Sequence, residues 1–151
     1  MGSIYIMSIR PRYANAILDY TKKFELRRLE GLEPISEGSV IVIYVSGNIQ
    51  SIVGEFIAGR VYIGSPEKIW SLVSSGDYGI TKEAWKYIEG SRKAMAVEVL
   101  NPRRYPLSVK LESIRRILPG WNPPHSYSEL REGDPFYELI LKPVRSLIVT
   151  A

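Results

Sequence analysis

The sequence predicts an α+β domain built around a small curved or barrel-like sheet. Three observations carry that expectation. Apolar runs of strand length recur through the first two thirds of the chain, short amphipathic helices stand between and after them, and no regular strand–helix–strand repeat marks a doubly wound sheet. The 151 residues are one domain's worth of chain, so residues 1–151 read as a single domain.

Taken in order, Ile4 to Ile9 reads as a strand, and Pro11 follows where the first turn of a helix tolerates a missing N–H. Tyr13, Ala14, Ile17 and Tyr20 then recur at helical spacing. Lys23 to Arg28 switches to period two, with Phe24 and Leu26 on one face and Lys23, Glu25 and Arg27 on the other. After a loop from Glu30 to Ser39, the run Val40 to Val45 is apolar on both faces, as in a strand covered on both sides. Gly47-Asn48 marks a turn into a second long strand, Ser51 to Ile63, whose Gly54 and Gly59 suggest bulges. These two strands are expected to pair at the heart of the sheet.

Ser65-Pro66 has the side-chain cap and first-turn proline of a helix start, with Ile69, Trp70 and Val73 inward. A further helix is expected behind a Thr81 cap, ending at Gly90. Ala94 to Leu100 reads as a strand closed by Asn101-Pro102, and Ser108 to Leu118 as a helix. The three prolines from Pro119 to Ser126 keep that stretch a loop. Asp134-Pro135 opens a last helix, with a strand as the alternative.

Composition excludes more functions than it suggests. There is no cysteine, hence no disulfide framework, thiolate nucleophile or cysteine-held metal, and the single His125 cannot build a multi-imidazole centre. No metal and no cofactor are expected. No apolar run approaches a membrane span, and no secretory signal is visible, so no membrane partner and a cytoplasmic protein are expected. The net charge of +4 is compatible with a polyanionic partner. Most of the surplus follows residue 76, where Arg92-Lys93, Arg103-Arg104-Tyr105, Lys110 and Arg115-Arg116 interleave cations with aromatics, a composition suited to phosphates and unpaired bases. Solvated helix and strand faces would look the same.

Phosphate loops, nucleophile elbows and zinc-protease motifs are absent. The densest polar constellation runs from Arg10 to Arg28. There Lys22, Glu25 and Arg27 surround a helix-to-strand junction and place two cations around one carboxylate. Such a group can hold the carboxylate ionised while Lys and Arg offer donors to a phosphate or carbonyl oxygen. An ordinary ion-paired strand face on the surface is the competing interpretation. Glu55, inside an otherwise apolar strand, could supply a second carboxylate, although an outward-facing side chain is the simpler expectation.

The stretch Ser8-Ile9-Arg10-Pro11, Tyr13-Ala14, Ile17-Leu18 and Lys22-x-x-Glu25-x-Arg27 resembles the start of an ASCH domain, a PUA-like family with the pattern G-x-K-x-x-E-x-R after a strand and a helix. Tyr20 stands where that pattern has glycine, at a turn where glycine permits a positive φ that tyrosine resists. Downstream, Gly38, Gly54 and Pro123-Pro124-His125-Ser126-Tyr127 fit more loosely. The resemblance implies a small PUA-like β-barrel with flanking helices and a cleft that binds RNA or a nucleotide. Lys22, Glu25, Arg27 and Arg10 would be its ligand-binding residues, and Arg103 and Arg104, from the basic second half of the chain, are the expected phosphate contacts outside the motif. It also implies an alternative, because some small members look like amidohydrolases acting on acylated cytidine. Lys22 and Glu25 would then be catalytic, although Glu25 stands where those members have threonine. A third expectation is a protein partner docking on an exposed aromatic loop, Trp121 to Tyr127.

Overall fold

In the computed structural model, which describes residues 3–150, the chain runs β1 (Ile4–Ile9), α1 (Pro11–Leu18), β2 (Phe24–Arg28), β3 (Val40–Val45), β4 (Ser51–Gly64), α2 (Pro66–Ser74), α3 (Glu83–Ile88), β5 (Ala94–Lys110), α4 (Leu111–Ile117), β6 (Tyr127–Leu130) and α5 (Lys142–Thr150), with a π-helical turn over Tyr137–Leu141 leading into α5. The six strands form one mixed sheet in the order β2-β5-β4-β3-β1-β6. β1 pairs parallel with β3, and every other pairing is antiparallel.

Strand alternation explains why this sheet carries helices on both sides. In β3, Ile41, Ile43 and Val45 join a core with Met7, Ile17 and Phe56, whereas Val42 and Tyr44 point the other way, toward Ile114, Phe136 and Leu141. A third cluster, with Ile69, Val73 and Ile88, seals α2 and α3 against Phe24, Leu26 and Ala96. The apolar run of β3 is thus buried on both faces, as its pattern predicts.

Bulges curl the sheet. The β4–β5 register shifts three times, between Ile52 and Gly54, Glu55 and Ile57, and Ala58 and Val61. Glycine is required at position 54, because a Cβ there would collide with the backbone carbonyl of Arg103. β2 and β6 are the two edge strands, with β1 beside β6, yet Arg27 of β2 bonds to Ser8 of β1 and to Ser126 just ahead of β6. The opposite margins therefore face one another across side chains, and the sheet is a half-barrel closed by a polar seam.

Several boundaries depart from the sequence expectations. Asn101-Pro102 does not end the fifth strand: Asn101 takes φ +47 and the chain continues, pairing Arg104 with Gly54 and Lys110 with Ser51. Ladder pairing thus overrides the turn signal, and the helix expected from Ser108 begins only at Leu111. The chain after the proline loop adds β6, whose four residues are too short for a periodic signature. Asp134 opens the last helical segment, its carboxylate accepting from Phe136 N at 2.9 Å. Thr81 does not cap the third helix, which starts behind Lys82.

Candidate functional site

The site lies along the seam. α1 ends at Leu18, and the chain reverses through Tyr20, whose φ of +65 is the left-handed conformation that the resemblance assigns to glycine. Thr21 N and Lys22 N both donate to Ala16 O, at 2.9 and 3.0 Å, so the turn is locked to the helix end. Gly79, at φ +72, packs against the far side of the turn, where a Cβ would strike Thr21 O. The α2–α3 loop therefore supports the backbone from which Lys22 projects.

Lys22, Glu25 and Arg27 are 7%, 4% and 6% exposed, so the charged face of β2 is covered rather than solvated. Lys22 Nζ donates to Glu25 Oε1 at 2.9 Å, and Arg27 Nε donates to Glu25 Oε2 at 2.9 Å. Arg27 Nη2 reaches the Ser8 carbonyl at 2.8 Å and Nη1 reaches Ser126 Oγ at 3.3 Å. Ser8 Oγ in turn donates to Pro124 O at 2.6 Å, which fixes the proline loop over the seam. Burial alone would raise the Glu25 pKa, but Lys22 and Arg27 together outweigh it and hold the carboxyl below its ordinary value.

Above this floor opens a cleft of about 950 Å³. Tyr13, Tyr44 and Tyr87 stand on its walls, Pro123, Pro124 and His125 form one lip, and Glu83, Ala84 and Lys86 of α3 line the opposite side. The Tyr13 ring covers Lys22, whose ammonium lies 4.6 Å from the ring centroid. Tyr44 is held by Trp121, which meets it edge-on at 6.2 Å and stacks on Phe136 at 4.7 Å. Four cations line the cleft, Arg10, Lys22, Arg27 and Lys86, against two carboxylates, Glu25 and Glu83. Glu83 is ion-paired with Arg12, which ties α3 to α1.

The structure sorts the expected residues. Lys22, Glu25, Arg27 and Arg10 all line the cleft. Arg103 and Arg104 do not: they are adjacent on a strand and diverge, Arg103 pairing with Glu55 at 3.2 Å and Arg104 with Asp19 at 2.9 Å. Arg116 pairs with Glu112, and Arg115 bonds to Trp121 O and Asn122. Glu55 corrects the expectation of an outward-facing side chain. It is 1% exposed and accepts from Arg145 Nε at 2.7 Å, Tyr105 at 2.9 Å and Arg103 at 3.2 Å, anchoring α5 to the sheet. The aromatic loop is no exposed docking patch either, because Tyr127 is buried against Tyr5 and Trp121 packs inward. Lys86 and Tyr44 were not legible as site residues, since nothing in sequence places α3 or the far face of β3 beside Lys22. Among the described residues no cluster of His, Asp or Glu suits a metal ion, and no helix is long and apolar enough to cross a membrane.

A curled six-stranded half-barrel with helices on both faces has the α+β, PUA-like fold of solved ASCH proteins. The crystal structure of an ASCH protein from Zymomonas mobilis is similar to this chain, with a TM-score of 0.76 at 22% identity over 91% of this chain and 95% of that one. A serine-to-alanine variant of that protein gives 0.77 at 21% identity, over 93% and 96%. The N-terminal domain of Thermococcus gammatolerans McrB bound to m5C DNA gives 0.51 at 14% identity, over 94% and 98%. At these identities the likeness is one of fold, and at that level the resemblance seen from Ser8 to Arg27 holds. No protein-family model and no curated protein matches the sequence.

Proposed function

We propose that the protein is an RNA-binding, PUA-like domain whose cleft receives a single nucleotide. The observation that supports this most is the cleft itself: Tyr13 and Tyr87 line it with rings that reach the surface and suit a flat base, and four lining cations stand against two carboxylates. Arg10 and Lys86 stand at its rim, exposed and without a side-chain partner among the described residues, so they are available to phosphates. The McrB neighbour, which is bound to m5C DNA, adds that this architecture carries nucleic acid in that protein.

A salt titration of single-stranded RNA binding tests the proposal. Affinity should fall with added salt, and Arg10→Ala and Lys86→Ala should each reduce the logarithmic slope by roughly 0.7, the value for one phosphate contact on a single strand. Arg103→Ala and Arg104→Ala, which remove cations already engaged by carboxylates, should change it less. Binding that ignores salt, or no binding at low salt, rejects the proposal.

One observation favours a second function, hydrolysis of a modified nucleoside such as an acylated cytidine. Lys22 and Glu25 form a donor–acceptor pair 2.9 Å apart at the floor of a cleft, a geometry able to pass a proton. Incubation with acyl-cytidines, followed by chromatography, decides it: identical blank traces from wild type and Lys22→Ala eliminate this activity.

A further inference from the structure

The floor of the cleft holds three charged side chains, each less than a tenth exposed, and their charges do not cancel. Two cations face one carboxylate. Arg27 is well satisfied, with Nε and Nη2 on Glu25, Nη2 also on the Ser8 carbonyl and Nη1 on Ser126. Lys22 is not. Its ammonium has three N–H groups, one hydrogen bond to Glu25 and one aromatic face from Tyr13. The other cleft carboxylate, Glu83, is paired with Arg12 at the rim.

Covered charge without a counter-ion is unfavourable, and it is relieved by an anion that brings its own charge to the same place. We infer that the floor is an anion site that takes the phosphate group of a nucleotide against Lys22, with the sugar and base extending up between the tyrosine walls. This rests on the nucleotide-binding reading of the cleft and gives it a polarity, phosphate inward and base outward. Glu25 then acts as a positioning residue for Lys22 instead of reading a base, since Oε1 already accepts from Lys22, and Oε2 accepts from Arg27 Nε with Arg27 Nη2 in ion-pair contact at 2.7 Å. Only a group that protrudes can reach so covered an ammonium. The phosphate therefore belongs either to a free mononucleotide or to the phosphorylated end of a strand.

Calorimetric titration of the whole protein separates the possibilities. The probes are inorganic phosphate, a nucleoside monophosphate, the matching nucleoside, and one RNA oligomer with and without a terminal phosphate. The monophosphate should bind at least about ten-fold more tightly than the nucleoside. Inorganic phosphate should compete with it, Lys22→Met should abolish the preference, and Lys22→Arg should restore much of it. A preference below about two-fold in wild type, or one that survives Lys22→Met, overturns the inference. Failure of all small probes to bind, with no preference for the phosphorylated oligomer, overturns it as well. If Lys22→Met does not fold, the wild-type comparison of monophosphate with nucleoside decides alone. Binding of the monophosphate without either oligomer keeps the anion site, assigns it to a free nucleotide and removes the RNA-binding function. Equal binding of both oligomers with no monophosphate preference does the reverse, and a preference for the phosphorylated oligomer assigns the site to a strand end.

Discussion

The guanidinium of Arg27 donates to the backbone carbonyl of Ser8 at 2.8 Å, joining strands from opposite sides of a six-stranded sheet. The same guanidinium holds Glu25, and Glu25 holds Lys22, so the bond that closes the half-barrel also orders the floor of the cleft. Fold closure and site geometry share one side chain.

Removing that side chain should be costly. Arg27→Gln leaves Glu25 with one cation and the Ser8 carbonyl without its guanidinium partner, a loss of about 3 kcal/mol for a broken buried pair. Arg27→Lys keeps the charge but not the fork, and should lose less. Urea unfolding of the two variants beside wild type measures both, and equal stability of Arg27→Gln and wild type contradicts the structural role.

Acid should unfold the protein partly through Glu25. Its pKa is lowered in the folded state, because Lys22 and Arg27 outweigh the opposing effect of burial. The folded protein therefore binds a proton there less readily than the unfolded chain. The resulting stabilisation is fully present above the ordinary carboxylate range and is lost as pH falls through the lowered value. Glu55 adds a second such contribution, its burial being outweighed by Arg145, Tyr105 and Arg103. Melting temperature followed from pH 7 downward should drop more steeply in wild type than in Glu25→Gln. The variant should also be less stable at neutral pH, since it leaves two cations without their carboxylate.

Glu55 should matter far more than a surface glutamate. Glu55→Gln weakens its bonds to Arg145, Tyr105 and Arg103 together, with an expected loss of about 3 kcal/mol. Because Arg145 lies on α5, amide exchange should accelerate first in that helix. Exchange in α5 no faster than in the rest of the molecule would show that the apolar contacts of Val144 and its neighbours suffice.

Tyr20 offers a gain instead of a loss. Its φ of +65 carries a penalty of about 1 kcal/mol or more for a residue with a Cβ, which exceeds part of the entropy cost of glycine. Tyr20→Gly should leave the protein equally stable or more stable by up to about 1 kcal/mol, read by thermal unfolding. A marked loss would mean that the exposed ring contributes contacts its 60% exposure does not suggest.

By itself the sequence determined the α+β class, the central pairing of Val40–Val45 with a strand from Ser51 to Ile63, and the grouping of Lys22, Glu25 and Arg27. These follow from local rules: side-chain alternation of period two, proline and serine at helix starts, and a three-residue spacing across one tight turn. Tertiary structure alone decided what the charges meet. Arg103 and Arg104 are neighbours in sequence yet engage Glu55 and Asp19 on diverging sides, so the basic run is no continuous patch. Glu55 turned inward because Arg145, 90 residues later, supplies its counter-charge. Lys86 and Tyr44 joined the cleft because curling brings α3, β1 and β3 around Lys22. Local pattern specifies which way a side chain points from its own strand, whereas what waits there depends on bulges and long-range pairings that no short window of sequence contains.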